Sequence, residues 1–264
     1  MHSLIYLIYL AGFADAILPE TYHEHRLKKR GSTLIPSNCF SSDQALYTYF
    51  SPNYPWGDKH NGAALMSQAQ VSAAQGFLSL RSDYTGNGQL SYNSGTVYAN
   101  QQFTVPPGGG LDFQASFQAN TQPGCWPAFW LTAVHGWPPE IDLCEWKGSG
   151  KVSFNTFNTS SNVASLDVPY GSPESWHSIR NELRAGADGS TLVISFYLDG
   201  SLITTQYGAN MVNVPFWFVI DYQMLGSSGS SGPHETTYFN VQGLTVTSYP
   251  WGRFRNDAMM FKLR

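Results

Sequence analysis

Between residues 77 and 249 the chain is a succession of short runs in which apolar and polar positions alternate, broken by clusters of glycine, proline, asparagine and serine. A period of two puts successive side chains on opposite faces of an extended strand, so this pattern predicts half-buried β-strands. The runs are FLSLRS (77–82), TVYANQQFTV (96–105), LDFQASFQA (111–119), CWPAFWLTAV (125–134), KVSFNTFN (151–158), WHSIRNELR (176–184), VPFWFVIDYQM (214–224) and TTYFNVQGLTVTSY (236–249). The clearest unit is LVISFYL-DG-SLITTQY (192–207), two strand-like runs joined by Asp199-Gly200, a pair suited to a tight hairpin turn. A Gly/Ser-rich loop, LGSSGSSGPHE, fills 225–235. No helical periodicity persists beyond a few turns, and no internal repeat is visible. These signals predict an all-β chain folded as a two-sheet antiparallel β-sandwich.

The two ends depart from the pattern. An apolar run at 4–13 followed by Ala14-Asp15-Ala16 fits a secretory signal over 1–16 with a small-residue cleavage site. It is shorter than the ~20 apolar residues that a membrane span needs. Residues 17–30 end in Lys28-Lys29-Arg30, which reads as a propeptide with a dibasic processing site or as a solvated basic patch. After Tyr249 the alternation stops, and 250–264 is a basic C-terminal tail. A single domain is therefore expected over 31–249, a length sufficient to bury its own core.

Charge narrows the partners. The formal net charge is −4, and removing residues 1–30, with four basic and three acidic side chains, takes it to −5. Residues 31–249 hold only six basic side chains, too few to neutralise a row of phosphates. Neither nucleic acid nor an anionic membrane fits; a neutral partner met by a secreted monomer, extracellular or in a cell wall, does. The three cysteines, Cys39, Cys125 and Cys144, allow at most one internal disulfide, and spacing does not choose the pair. No Cys/His spacing suggests zinc, and no cofactor or metal is predicted. Asn158-Thr159-Ser160 is an N-glycosylation sequon.

The chemistry concentrates in PPEIDLCEW (138–146), where Glu140, Asp142 and Glu145 crowd a chain with only 12% charged residues. On a regular strand Glu140 and Asp142 share a face and Glu145 falls on the other. A β-bulge at Leu143 or Cys144 would return Glu145 to the same face. With one residue absorbed by the bulge, the Cα atoms of Glu140 and Glu145 lie about 13 Å apart, and side chains leaning inward can approach the ~5 to 5.5 Å that a retaining glycosidase needs between its carboxyl groups. Such a pair suits hydrolysis of a glycosidic bond, one carboxylate attacking the anomeric carbon and the other protonating the leaving oxygen. A calcium cluster or a solvated acidic strand is the other reading of the same acids. Trp126 and Trp130 lie four apart and share a strand face, as a sugar-stacking platform would require, although tryptophans also fill cores. Trp137 borders the acids, and His135 and His234 lie in probable loops within reach of a sugar. His177 reads as a structural histidine.

EIDLCE, in the form E-x-D-x-x-E and preceded by WPAFWL, resembles glycoside hydrolase family 16, the concanavalin A-like β-jelly rolls that include retaining endo-glucanases and transglycosylases. The resemblance covers most of 40–249, and WHSIRNELR with ISFYLDGSLI is similar to the family's later strands. It implies that Glu140 is the nucleophile, Asp142 its assistant and Glu145 the acid/base, and the extra residue before Glu145 resembles the bulged, laminarinase-type branch. Many members carry a histidine on the following strand, whereas KVSFNTFN places Asn155 or Phe157 there, so Asn155 becomes a candidate substrate contact. Many also bind a structural calcium, but the last strand offers Asn240 rather than an aspartate, and no metal is assigned. The implied activity is that of a secreted retaining endo-glycosidase acting on β-1,3 or mixed β-1,3/1,4 glucan. A galactan hydrolase, a cell-wall transglycosylase and a non-catalytic lectin on the same fold are the alternatives.

Overall fold

A computed structural model describes residues 31–172, 175–225 and 231–250. The expected signal (1–16), propeptide (17–30), tail beyond 250 and part of the Gly/Ser loop lie outside the described residues. One sheet runs in the order β15 (Ser201–Gly208), β14 (Leu192–Leu198), β13 (His177–Ala185), β8 (Gly110–Ala119), β17 (Thr237–Tyr249), β5 (Phe77–Tyr84), β6 (Tyr92–Ser94) and β3 (Ala64–Met66). The short strands β1 (Ser32–Ile35) and β4 (Val71–Ala74) pair with β17 and β5. The second sheet runs β12 (Asn162–Pro169), β11 (Lys151–Thr159), β10 (Glu140–Trp146), β9 (Cys125–Ala133), β16 (Phe216–Met224), β7 (Thr96–Ala99) and β2 (Phe50–Pro52). Every pairing is antiparallel except β3 with β6. This is the predicted two-sheet sandwich, with one α-helix among the described residues, α1 (Asp43–Tyr49), capped by the Ser42 hydroxyl on the Ala45 amide at 3.1 Å.

The core lies between the sheets and is largely aromatic. Phe117 meets Trp146 at 4.8 Å between ring centroids and Phe129 at 6.0 Å, while Phe218 meets Phe113 at 5.0 Å and Phe239 meets Phe129 at 5.4 Å. Edge and tilted contacts of this kind add to the burial of large rings. In the first sheet β5 and β8 keep their alternation of buried and exposed positions, so one face is solvated. The central strands of the second sheet do not: β9, β10 and β16 are buried on both faces. Something covers their outer side, and that side holds Asp142, Glu145, Asn155, Asp221 and Gln223, all buried. Polar groups concentrated on a covered sheet face mark a site, because burial without partners is unfavourable.

The expected hairpin forms, with Leu198 opposite Ser201 and both turn residues at positive φ, Asp199 at 49° and Gly200 at 78°. Asp199 also accepts from the Ser178 amide at 2.8 Å and holds His177 Nδ1 at 2.6 Å, and His177 Nε2 lies 3.0 Å from the Ser172 carbonyl. His177 is structural, as expected. Two sequence expectations change. Of TVYANQQFTV only Thr96–Ala99 is a strand, because Asn100 turns away and its amide donates to the carbonyls of Tyr47 and Thr48 at the end of α1, each at 3.3 Å. The edge strand β12 was not predicted, since most of it is exposed and carries little alternation. All three thiols are buried and free, so no disulfide forms among Cys39, Cys125 and Cys144. The sequon residue Asn158 is tied to β15 and its exit, donating to the Tyr207 carbonyl at 3.2 Å and accepting from the Ala209 amide at 2.6 Å.

Partial burial opposes the charge on His177, but the bond to Asp199 overrides it and raises the imidazole above its ordinary value of 6.5. Stability from this pair is therefore full below pH 6.5 and fades as pH rises through the raised value. His177→Ala should lower the melting temperature more at acidic than at alkaline pH, measured by calorimetry in matched buffers. An equal loss across that range would remove the ion pair from the explanation.

Candidate active site

The three acids are brought together by one extra residue. On β9 the partners of Glu140, Asp142 and Glu145 are Thr132, Trp130 and Ala128, alternate residues of an unbroken strand that therefore share one face. Trp130 and Phe129 are consecutive, yet they pair with Asp142 and Cys144, leaving Leu143 as the inserted residue. The shift recurs against β11, where Asp142 opposes Asn155 and Glu145 opposes Ser153. The bulge is where the spacing of the acids places it.

Above this face lies a cleft of about 730 Å³ lined by the trio, Trp126, Trp130 and Trp137. Trp56, His60, Lys147, Phe157 and Trp217 complete much of its wall. One side is an aromatic cluster built on the segment after β2. Trp56 stacks on Tyr54 at 5.2 Å and 4°, and His60 stacks on Trp130 at 5.4 Å and 29°. This segment docks where Gly62, at φ 110°, passes so close to β16 that an added Cβ would sit 2.6 Å from the Met224 carbonyl oxygen. The close approach lets the Ala63 amide donate to that same oxygen at 2.9 Å. On the other side Trp137 packs against Phe157 at 5.9 Å.

The hydrogen bonds converge on Glu145. The Trp126 indole N–H donates to Oε1 at 2.6 Å, the Asn155 amide to Oε2 at 3.2 Å, and Lys147 Nζ lies 2.9 Å from Oε2. Asn155 also donates to Asp142 Oδ2 at 2.8 Å, and Ser165 donates to its carbonyl, which fixes the orientation of the amide. Burial, reinforced by the Glu145 charge, pushes Glu140 up to about 8. Asp142 is raised well above the carboxylate range by burial and then by Glu145 and Glu140. Burial opposes the charge on Lys147, but the neighbouring Glu145 more than offsets it and holds the ammonium above its usual value. Carboxyl groups this close cannot all ionise, so the cluster retains protons near neutrality, the condition for one member to act as acid while another attacks.

Not every expected residue takes the expected place. Trp126 and Trp130 do share the cleft face, but Trp130 is 5% exposed beneath Trp56 and His60 and is not an open platform. Trp56 at 47% and Trp137 at 53% present the open rings. Among the described residues that line the cleft, Val134 and Gly136 appear while His135 between them does not. His234 stacks on Tyr84 at 4.0 Å instead of lining the cleft. Trp56, His60, Lys147 and Asp221 were not predicted. Two signals for them existed: aromatics within the turn-rich NYPWGDKHNG, and a lone acid in the apolar strand VPFWFVIDYQM. Asn240 accepts from Ser79 at 2.8 Å and donates to Gln118 at 3.3 Å, and among the described residues no group of three acids, histidines or cysteines could hold an ion.

No family model matches the chain. It is 40% identical over 227 residues, 82% of its length and 90% of the relative's, to a galactan endo-β-1,3-galactanase of Flammulina velutipes. The fold matches an endo-1,3-β-glucanase of Streptomyces sioyaensis with TM-score 0.62 and 22% identity, covering 77% of this chain and 90% of that one. It also matches a non-specific endo-β-1,3(4)-glucanase from family GH16 with TM-score 0.66 and 14% identity, covering 84% and 92%.

Two outcomes are expected. Trp130→Ala should cost about 3 to 5 kcal/mol of stability by emptying a packed position, whereas Trp56→Ala should raise KM with little change in melting temperature; equal thermal losses would refute the division. Second, between the ordinary 4.5 and about 8 the folded chain keeps a proton on Glu140 that the unfolded chain releases. Stability conferred by that proton is full below 4.5 and declines as pH rises through 8. Glu140→Gln, neutral throughout, should lose less melting temperature than the wild type over that interval, and a parallel loss would assign the protons elsewhere.

Proposed function

The chain belongs to glycoside hydrolase family 16, and from that premise we propose that it is a secreted endo-hydrolase opening β-1,3 linkages within a neutral β-glucan, mixed-linkage glucan included, with retention of configuration. The observation that carries this reading is the bulge-aligned trio at the floor of an aromatic cleft. Aromatic faces suit the C–H faces of pyranose rings, and sugar hydroxyls suit the carboxyl and amide groups set among them. Lys147 is the one Lys or Arg among the described lining residues, and it is engaged by Glu145, so an anionic polymer has no free cation there to meet.

In this reading Glu140 attacks the anomeric carbon and Glu145 gives its proton to the departing oxygen, leaving a glycosyl-enzyme. Glu145 then takes a proton from water as that water attacks the same carbon, and two inversions restore the starting configuration. For Glu140 to attack, the proton that burial favours on it must first pass to the group that protonates the leaving oxygen, Glu145. Asp142, bridged to Glu145 through Asn155, lies close enough to feel the charge of both glutamates. The galactan backbone named for the 40% identical relative is the second reading, favoured by the near-complete coverage of that protein. The two backbones share the β-1,3 linkage and differ in the orientation of one ring hydroxyl.

Incubation with β-1,3-glucan, mixed-linkage glucan and β-1,3-galactan, with products sized and their first-formed anomers read by NMR, should give short oligosaccharides with β reducing ends. Absence of cleavage on all three would leave a sugar-binding protein. The roles separate with azide and an activated aryl glycoside. Glu145→Ala should yield the β-azide, because the glycosyl-enzyme still forms, and Glu140→Ala the α-azide by a single direct inversion. The same anomer from both variants would overturn the assignment.

A further inference from the structure

A fourth carboxyl group faces the same floor and has no part in the reaction as described. Across three adjacent strands Glu145, Ala128 and Asp221 lie in one row. The middle residue is only a methyl group, so between the two acids the sheet face carries a hole. That hole is a cavity of about 40 Å³ bordered by Asp221, the catalytic trio, His60, Trp126, Ala128 and Trp130. It has room for a water molecule or a sugar hydroxyl.

Asp221 is 3% exposed. Its Oδ2 accepts from the Tyr54 hydroxyl at 2.6 Å, and Tyr54 is held in turn by the Trp56 stack and by the Gln223 amide at 3.3 Å. By distance and angle its Oδ1 accepts no hydrogen bond from the protein, although the Trp130 indole and the residue's own backbone N–H lie near enough to favour the carboxylate. A buried acceptor left open, on a side chain fixed by its other oxygen and bordering a hole in a substrate cleft, is an arrangement that awaits a donor.

We propose that Asp221 is a specificity-determining residue, its Oδ1 accepting a hydrogen bond from one hydroxyl of the pyranose bound at the acid trio, above Ala128. The assignment rests on the hydrolytic reading above and adds to it the group that recognises the sugar at the cleavage site. Tyr54 is the positioning residue, because its bond to Oδ2 sets the direction of Oδ1. A ring whose hydroxyl points elsewhere leaves Oδ1 buried and unpaired, and a site built in this way discriminates more strongly than an apolar pocket does.

The test uses aryl β-1,3-glucobiosides, or the galactobiosides if the polymer assay selects galactan. The parent is compared with analogues lacking the 2-, 4- or 6-hydroxyl of the ring attached to the aryl group. The wild-type to variant ratio of kcat/KM cancels the intrinsic reactivity of each analogue. Assayed above pH 7, where the raised Asp221 carboxyl is ionised, Asp221→Ala should lower kcat/KM on the parent by about 10- to 100-fold, the range of a hydrogen bond to a charged acceptor. For the one analogue missing the partner hydroxyl the gap should close, while the others keep it. Asp221→Asn, which retains an oxygen acceptor, should recover part of the loss. It also carries the test alone if the alanine variant does not fold, since its smaller gap must vanish for the same analogue. A gap of equal size on every analogue, or no gap on the parent, overturns the assignment while leaving hydrolysis intact. A wild type inactive on every substrate overturns the hydrolytic reading and this assignment with it.

Discussion

On strand β10 a single inserted residue reconciles two demands that a regular strand cannot meet together. Unbroken alternation from Glu140 would send Glu145 into the core and Trp146 into the cleft. With Leu143 absorbed as a bulge, Glu145 faces the cleft, and Trp146 packs on Phe117 and Phe239 in the interior. The inserted segment is accommodated because Leu143 and Cys144 are both apolar and fully buried, so neither adds an unpaired polar side chain to the core. Core packing and the alignment of the three acids thus depend on the same residue count between Asp142 and Glu145.

Bringing several carboxyl groups under an aromatic roof is unfavourable unless each finds donors. Strands β9, β11 and β16 supply them: Trp126 and Asn155 to Glu145, Asn155 to Asp142, and Gln223 as the brace for the tyrosine that holds Asp221. Lys147 contributes the nearby positive charge. The proposed mechanism needs partial compensation. Complete pairing would ionise every acid and abolish the proton source, and no pairing would leave neutral acids unable to attack. Burial and repulsion raise Glu140, Asp142 and Asp221, the last to about 7, so the floor of the cleft stays protonated in part.

The roof comes from a segment with no regular structure. Residues 53–63 reach the cleft because Gly62 allows backbone contact with β16, and they deliver Trp56 and His60 over Trp130. This explains why Trp130 is buried although it lies on the substrate face. It also divides the tryptophans into those that shape the floor and those that offer an open ring.

From the sequence alone the sandwich was legible, since alternation with a period of two and the Asp199-Gly200 turn are local signals that do not depend on distant contacts. The bulge was legible too, because three acids and two demands on orientation leave few ways to thread a strand. Less could be read where neither face of a segment is strongly apolar, as in β12, or where a side chain such as Asn100 draws the chain out of its sheet. What only the tertiary structure decided is which residues meet. Tyr54 and Asp221 are 167 positions apart and share a hydrogen bond, and Trp130 is covered by a loop more than 60 residues earlier in the chain. Periodicity assigns a residue to a face of its own strand; strand order and loop docking determine what stands opposite that face, and those follow from packing over the whole chain.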